Sequence, residues 1–161
     1  MLTSIYAAQR ELVVTTPYFV PDDALMSALA SAAQRGVEVT IILPERIDSL
    51  LVRYACRAYF QDLLSAGVRI LRFQGGLLHT KSITVDGVMA LFGTVNLDMR
   101  SLWLDYEVTL CIYDRGFAGA LRGLQQKYAE QSTPMDLEMW QQRPGHERFV
   151  ENLAQLFGPL L

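Results

Sequence analysis

Two hydrophobic periods alternate along the first half of the chain, one typical of strands and the other of helices. Runs of aliphatic and β-branched residues predict strands over residues 12–16, 37–43 and 68–73. Apolar residues that recur every three or four positions predict helices over residues 22–36 and 48–67, each with an Asp at its start and a Gly at its end. The second helix is expected to bury Leu50, Leu51, Tyr54, Ala58, Leu63 and Leu64.

Three further strands are predicted in the middle of the chain. Leu77–Asp86 and Val88–Phe92 are joined through Asp86-Gly87, a dipeptide typical of a type I′ hairpin turn. Residues 106–113 alternate in polarity, which predicts a third strand. In this strand Glu107 projects from the face opposite Tyr106, Val108, Leu110 and Ile112.

Helices are predicted for the rest of the chain. Phe117, Leu121, Leu124 and Tyr128 mark one helix. Thr133-Pro134 is expected to begin another, as N-cap and first-turn proline, and Pro144 to end it. A last amphipathic helix is expected to pack on the domain through Phe149, Val150, Leu153, Leu156 and Phe157.

This order of elements predicts the fold class. Alternating strands and helices followed by a hairpin favour one α/β domain over residues 1–161, built on a mixed β-sheet with helices on both faces. The C-terminal helices, residues 134–158, are expected to pack on it. A chain of 161 residues buries about 70% of the surface that its unfolded form exposes, so it needs no disulfide or metal to hold its core.

Composition excludes several classes of protein. The net charge of −3 and a pI near 5.3 provide no basic footprint, which argues against a nucleic-acid partner. No apolar run approaches the roughly 20 residues that cross a bilayer, and the N-terminal residues lack the pattern of a signal peptide. The two cysteines lack metal-ligand spacing, so we expect no zinc site.

The residues with the clearest chemical potential lie between positions 79 and 107. They form the pattern H-x-K-x4-D-x6-G-T-x-N, in which the defined residues are His79, Lys81, Asp86, Gly93, Thr94 and Asn96. On a strand the side chains of His79 and Lys81 project from one face, so a single phosphate group can meet both. A neutral imidazole can attack phosphorus, a protonated one can donate to a leaving oxygen, and an ammonium group can neutralise phosphoryl oxygens.

Three more polar residues are candidates for this chemistry. Asn96 and Thr94 follow the second hairpin strand and can donate hydrogen bonds where negative charge develops. Glu107 is the candidate partner of the distal imidazole nitrogen of His79, because a carboxylate there fixes the tautomer and the ring orientation.

Other residues have structural interpretations. Asp86 precedes a glycine in a tight turn and lies on the strand face opposite His79, so we predict a structural role for it. Gly93 is predicted to let the end of the strand approach a ligand closely. Two interpretations are open for Tyr18 and Phe19, which either line a site for an acyl chain or glycerol group or belong to the core.

The pattern around His79 is the HKD motif by which the phospholipase D superfamily is identified, and the chain resembles that superfamily. Four segments resemble the C-terminal half of bacterial cardiolipin synthases: residues 16–22 (TPYFVPD), 74–76 (QGG), 93–101 (GTVNLDMRS) and 157–161 (FGPLL). The resemblance covers nearly the whole chain. It implies half of a phospholipase D-like α/β/α sandwich, and a histidine-orienting role for an acidic residue at about the position of Glu107.

The resemblance also implies an activity. It is phosphatidyl transfer between two phosphatidylglycerol molecules, with a phosphohistidine intermediate, release of glycerol, and no cofactor or metal. Full-length members are expected at the bacterial inner membrane, with a membrane surface as partner and upstream membrane segments that this sequence does not contain. By itself the present chain is expected to be soluble or peripheral.

Family members carry two HKD halves, and the two motif histidines face one phosphate, whereas this sequence contains one such motif. The expected partner is therefore a second half, supplied by a longer chain or by a second copy. Two alternatives stay open at this point. One is a homodimeric phosphodiesterase with a single motif in each copy, and the other is a catalytically silent fragment.

Overall fold

The computed structural model describes residues 1–160 as eight α-helices, nine strands and a 3₁₀ turn. The helices are α1 (Leu2–Ala7), α2 (Asp23–Gln34), α3 (Leu50–Ala58), α4 (Phe60–Ser65), α5 (Met99–Trp103), α6 (Arg115–Glu130), α7 (Leu137–Gln141) and α8 (Gly145–Gln155). The strands are β1 (Glu11–Thr15), β2 (Phe19–Val20), β3 (Glu38–Pro44), β4 (Arg69–Phe73), β5 (Ser82–Val85), β6 (Met89–Gly93), β7 (Leu97–Asp98), β8 (Thr109–Ile112) and β9 (Ser132–Pro134). The 3₁₀ turn spans Gly158–Leu160.

Seven strands form one mixed sheet in the order β8-β6-β5-β1-β3-β4-β9. Its centre, β1-β3-β4, is parallel, and β5, β6, β8 and β9 pair antiparallel with their neighbours. A second sheet consists of the short parallel pair β2-β7. The start of β5 therefore lies beside the carboxyl end of β1, at the sheet edge where the parallel strands end.

Alternation along the strands places apolar side chains on both sheet faces. The face covered by α1 to α4 holds the larger core, which includes Leu12, Val14, Ile41, Leu43 and Ile70. The opposite face packs under α6 and holds Val13, Ile42, Leu71, Phe73 and Leu78. The predicted fold class, a mixed β-sheet with helices on both faces, is confirmed. Among residues 1–160 no helix combines the length and apolar character needed to cross a bilayer.

The predicted hairpin is present, with shorter strands than expected. Asp86 and Gly87 both have positive φ, 53° and 68°, as a type I′ turn requires. The first strand begins at Ser82, so residues 77–81 lie before the regular ladder. The strand predicted over 106–113 is β8, which begins at Thr109. Because β8 is an edge strand, the apolar face predicted for it is open to solvent: Tyr106, Val108 and Leu110 are all exposed.

The helix predicted over 48–67 is two helices, and the first turn of its predicted buried face is wrong. Ser49 caps α3 as expected, but Leu50 and Leu51 are 65% and 41% exposed. Leu63 is buried as predicted, and Tyr54, Ala58 and Leu64 are partly buried against the core. The other buried residues of this region, which were not predicted, are Ala55, Cys56, Tyr59 and Phe60. The break between Ala58 and Phe60 turns the second helix relative to the first, so one periodic stripe cannot describe both.

The prediction that Thr133-Pro134 begins a helix is wrong. Ser132–Pro134 forms β9, which pairs antiparallel with β4 through Phe73↔Ser132 and Leu71↔Pro134. As an edge strand β9 tolerates a proline, which lacks the N–H of an inner strand residue. The helix α7 starts later, after Asp136, whose side chain accepts a hydrogen bond from Met139 N.

The last helix, α8, packs with the opposite face from the one predicted. Its inward face carries the buried residues Glu151 and Ala154. Glu151 accepts hydrogen bonds from Arg57 on α3 and from Arg143. The apolar stripe expected to dock is exposed, and comprises Phe149, Val150, Leu153, Leu156 and Phe157. Paired charges, not the apolar stripe, therefore hold α8 on the domain.

Candidate active site

The segment that carries His79 and Lys81 is anchored from behind by α6. Even-numbered residues of the segment face this helix: Thr80 Oγ1 lies 3.1 Å from the Tyr128 hydroxyl, and Thr84 Oγ1 donates to Gln125 Oε1 at 2.6 Å. His79 and Lys81 project from the other side, as the alternation predicts. The segment is thus held in an extended conformation although the ladder begins at residue 82.

Five residues of the motif line one cavity of about 640 Å³ at the start of β5. They are His79, Lys81, Gly93, Thr94 and Asn96. The imidazole of His79 is exposed, while Lys81 and Asn96 are half-buried. The fold therefore brings an imidazole, an ammonium group and an amide around one space, across a separation of 17 residues in sequence.

Lys81 stands between this cavity and an adjoining one of about 450 Å³ that Glu107 also lines. Its ammonium group donates to the carbonyl of His79 at 3.0 Å. Burial lowers the pKa of Lys81 from its ordinary value, and the negative charges of Glu107 and Asp98 oppose this decrease. Its charge thus depends on two nearby carboxylates.

Asn96 is held by α5 and leaves one atom without a partner. Its Nδ2 donates to Ser101 Oγ at 3.2 Å, and its Oδ1 is buried without a hydrogen bond among residues 1–160. Because the Ser101 hydroxyl can donate as well as accept, a half-turn of the amide would keep this contact and free an N–H. The freed N–H would lie where Oδ1 now lies, a position closed to solvent, so the amide reaches a phosphoryl oxygen only if its side chain also shifts toward the cavity.

Thr94 and Gly93 are positioned for backbone contacts with the segment before β8. The Thr94 hydroxyl accepts from Val108 N at 3.0 Å and donates to Val108 O at 3.4 Å, so it is already engaged. A Cβ at Gly93 would collide with the Val108 carbonyl and lie 2.8 Å from Thr109 Cα. The prediction that Gly93 allows a ligand to approach is corrected: what comes close is the neighbouring strand.

The hydrogen bond expected between Glu107 and His79 does not form in this chain. Among residues 1–160 the Glu107 carboxylate makes no hydrogen bond to the imidazole. Its negative charge instead acts on Lys81, where it opposes the decrease in pKa that burial causes. The chain reaches Glu107 before β8 begins, in a segment whose path is set by the bonds between Thr94 and Val108. The histidine-orienting role that the resemblance implies for Glu107 stays a prediction, which this single half does not display.

Asp86 lies at the other end of β5 and binds backbone groups. Its carboxylate accepts hydrogen bonds from the N–H groups of Gln9, Arg10 and Glu11 at 2.8–3.0 Å. Burial would raise the pKa of Asp86, but these three donors outweigh it and hold the pKa below its ordinary value. These contacts join the hairpin turn to the start of β1, which supports the structural role predicted for this residue.

Of the two aromatic candidates, Phe19 belongs to the core. It is fully buried and meets the Tyr59 ring edge-on, with 6.4 Å between ring centroids. The interpretation that it lines a substrate site is therefore wrong, because β2 turns this side chain inward. Tyr18 is half-buried and donates to Asp48 at 3.0 Å; burial, followed by this bond and the charge of Asp48, raises its pKa.

The residues that hold Asn96 in place were not predicted from the sequence. Asp98 caps α5 by accepting from Ser101 N at 2.7 Å, and Leu97 N donates to Thr16 Oγ1 at 3.3 Å. The cap had a local signal, an Asp three residues before its donor. The contact with Thr16 joins residues 81 positions apart and had no local signal. Residues 1–160 contain no cluster of three or more metal-binding side chains.

This arrangement of motif residues at the edge of a mixed sheet defines a phospholipase D-like domain. Solved structures share its fold. The phospholipase D family member Nuc from Salmonella typhimurium matches 83% of this chain and 87% of its own, with a TM-score of 0.74 and 23% identity. The phosphatidylserine synthase of Haemophilus influenzae matches 99% of this chain and 43% of its own, with a TM-score of 0.77 and 19% identity.

The chain belongs to the family described as cardiolipin synthase, PLD-like domain, whose model matches residues 1–129 and so includes the whole site. Among curated relatives, the cardiolipin synthase A proteins of Cronobacter sakazakii and Klebsiella pneumoniae are each 56% identical over 161 residues. The match covers all of this chain and 33% of each relative. The chain thus spans about a third of the length of these relatives.

Proposed function

We propose that this chain is one catalytic half of a phosphatidyltransferase that joins two phosphatidylglycerol molecules and releases glycerol. The observation that carries the proposal is the cavity in which His79, Lys81 and Asn96 meet. An imidazole, a cation and an amide around one space suit a phosphodiester, which needs a nucleophile and stabilisation of its non-bridging oxygens. The family to which the chain belongs favours a phospholipid as the carrier of that phosphodiester.

The proposed reaction has two displacements at phosphorus. In the first, a ring nitrogen of one motif histidine bonds to phosphorus, the bond to the glycerol headgroup oxygen breaks, and the second histidine gives that oxygen a proton. In the second displacement, the second histidine takes the proton from a hydroxyl of another phosphatidylglycerol. The oxygen of that hydroxyl bonds to phosphorus, and the bond between phosphorus and the first histidine breaks. The products are glycerol and a lipid with two phosphatidyl groups, and both histidines return to their initial states.

Lys81 and Asn96 stabilise charge in both displacements. The ammonium group of Lys81 lies where it can meet the non-bridging oxygens, provided that it keeps its proton against the effect of burial. The Asn96 amide can donate once it has turned and its side chain has shifted toward the cavity that it lines. Thr94 and Gly93 act through the backbone by fixing the segment that leads to Asn96.

The second histidine belongs, in this proposal, to another half. Six exposed apolar side chains lie on the edge strand or in segments near the site: Leu77, Phe92, Trp103, Tyr106, Val108 and Leu110. Of these, Phe92 lines the cavity and pairs across the strands with Leu110. Apolar side chains grouped in this way favour a protein contact over permanent exposure. Because the relatives are about three times longer than this chain, we propose that the other half belongs to the same polypeptide in such proteins. Their lipid substrate implies action at a membrane surface.

A second candidate is a homodimeric phosphodiesterase, in which two copies each supply one His79. One observation favours it: the Salmonella Nuc chain is matched over 87% of its length, so a chain close to this size is a whole member of the fold family. This candidate would hydrolyse a phosphodiester, with water in place of the second lipid hydroxyl.

The test compares the 161-residue chain with a chimera in which it replaces the matching third of the Cronobacter sakazakii relative. We expect glycerol release from phosphatidylglycerol by the chimera and none by the monomeric chain. In the chimera, His79→Asn should lower the rate at least about 1000-fold, because no neighbouring group replaces the nucleophile or its proton. His146→Asn, which changes an exposed histidine on α8, is the matched control.

Turnover by a chain shown to be monomeric would contradict the two-half proposal. Phosphodiester hydrolysis by a dimeric form of the chain, without transfer, would favour the second candidate. An active His79→Asn chimera would exclude both.

A further inference from the structure

Apart from the two adjoining cavities that Lys81 lines, a separate cavity of about 680 Å³ lies at the same edge of the sheet as His79, and it is called the second cavity. It opens where the parallel strands β3 and β4 end, and α3, α4 and α7 form its other walls. Ligands of α/β proteins bind most often beyond the carboxyl ends of parallel strands.

Four arginines line this cavity, and two of them lack acidic partners. Arg57 is paired with carboxylates of α8, and Arg72 is paired with Glu45 at 3.1 Å. Arg46 and Arg53 are exposed and form no ion pair among residues 1–160. The cavity thus has an uncompensated positive charge, in a chain whose net charge is −3.

Two buried donors of the cavity also lack acceptors. Arg72 Nε and Trp140 Nε1 are inaccessible to solvent and make no hydrogen bond among residues 1–160. Both residues line the cavity. Buried N–H groups are nearly always paired, so two that share a cavity favour an acceptor from outside the chain. Because neither atom is open to solvent in this structure, such an acceptor reaches them only after neighbouring side chains of the cavity move.

The remaining walls are apolar, and they include Ile47, Phe60 and Met135. The Trp140 ring lies against Phe60, with 5.5 Å between the ring centroids, and under the guanidinium group of Arg57 at 5.0 Å. A guanidinium group matches the geometry of phosphate oxygens, and an apolar wall suits the organic part of the same molecule. A phosphate group carried on an apolar molecule fits both features.

The distance from His79 separates this cavity from the catalytic one. The strand order β5-β1-β3 places the end of β3 two strands away from the start of β5. Adjacent strands are about 4.8 Å apart, so the two places are separated by about 10 Å. A phosphate held by His79 and Lys81 therefore does not occupy the second cavity.

We propose that the cavity between β3, β4 and α7 is a second phosphate-binding site, in which Arg46 and Arg53 supply the charge and the N–H groups of Arg72 and Trp140 supply directed hydrogen bonds. Its ligand is a phosphate group, carried by a phospholipid headgroup or free in solution. The site goes beyond the proposed transfer reaction, and it can be tested by binding alone, without turnover.

The test is a titration of the 161-residue chain followed by NMR. The indole N–H of Trp140 reports on the second cavity and the ring of His79 on the catalytic one. One arm uses dihexanoyl phosphatidylglycerol below its micelle concentration, and the other uses inorganic phosphate. We expect the Trp140 signal to move on titration, because its N–H gains an acceptor.

Variants separate the two cavities. Arg46→Gln combined with Arg53→Gln should weaken the binding seen at Trp140 about tenfold or more, since each residue contributes a charged hydrogen bond. Arg115→Gln combined with Lys127→Gln, an equal loss of two charges at exposed positions of α6, should leave the binding seen at Trp140 unchanged. His79→Asn should also leave it unchanged, even if the proposed transferase reaction is wrong.

The tighter of the two ligands identifies the source of the phosphate, and either one supports the site if its binding depends on Arg46 and Arg53. An unmoved Trp140 signal with both ligands would overturn the proposal. So would a signal that moves equally in the double variant, or one that is lost in His79→Asn.

Discussion

At the scale of the residue, the charge of Lys81 is the most sensitive property of the site. Burial lowers its pKa, and Glu107 is the larger of the two charges that oppose this. Glu107→Gln should therefore lower the pKa of Lys81 further. Since the protonated amine is the form that binds phosphoryl oxygens, the alkaline limb of the pH profile of kcat should move to lower pH in the chimera.

Asp105→Asn is the matched control for this prediction. Asp105 lines the cavity that adjoins Lys81 but pairs with Arg100. The profile of this variant should follow that of the unmodified chimera. An alkaline limb that stays in place in Glu107→Gln would show that Glu107 does not support the charge of Lys81.

Asp86 provides a second prediction at this scale, concerning stability. Its pKa is lower in the folded chain than its ordinary value of 3.8, so the unfolded chain binds more protons between the two values. The stabilisation is therefore fully present above about pH 4 and is lost as the pH falls through the folded value. Asp86→Asn should cost about 1–2 kcal/mol at pH 7 and progressively less below pH 4.

Urea unfolding at a series of pH values measures this difference. Asparagine tolerates the positive φ at this position, so the substitution removes the charge and one of the two acceptor oxygens without straining the turn. Asp62→Asn, at an exposed carboxylate on α4, should show little difference at any pH. A cost of Asp86→Asn that stays constant from pH 7 to pH 3 would contradict the argument.

At the scale of the element, the contact between α6 and β5 determines how the segment that carries His79 and Lys81 is held. Gln125 is fully buried; it donates to Val13 O and Ser82 Oγ and accepts from Thr84 Oγ1. Gln125→Leu would leave these buried groups without partners and should lower the free energy of unfolding by about 2–4 kcal/mol. Thermal or urea unfolding measures the loss.

Gln126→Leu, one position further on an exposed part of the same helix, is the matched control. It should change stability by no more than about 0.5 kcal/mol. Equal effects of the two substitutions would mean that the hydrogen bonds of Gln125 contribute nothing beyond helix propensity.

At the scale of the whole molecule, the proposed contact with a second half can be tested at the exposed apolar residues of the edge strand. Leu110 is 55% exposed on the edge strand, so Leu110→Asp should change the stability of the isolated chain by no more than about 0.5 kcal/mol. In the chimera the same change should lower activity strongly, because a charge would be buried between the halves. Leu124→Asp on α6 is the control, and equal activity of both variants would contradict the proposed interface.

Much of this protein could be predicted from local patterns. The three parallel strands, the α2 helix with its Asp22 cap and the Asp86-Gly87 turn follow from period, capping and turn chemistry, which act over a few residues. The grouping of His79 with Lys81 follows from strand alternation in the same way. Local physics also identified the motif, because its spacing is a property of the sequence itself.

Tertiary structure decided the features that depend on distant residues. The strand β9 forms because its backbone pairs with the edge of β4. The helix α8 buries Glu151 because this residue accepts hydrogen bonds from Arg57 and Arg143. Glu107 lines the same cavity as Lys81, and the bonds between Thr94 and Val108 hold the chain next to it. In each case a partner far away in sequence outweighs the local preference, since burial and pairing of charge involve larger free energies than propensity does.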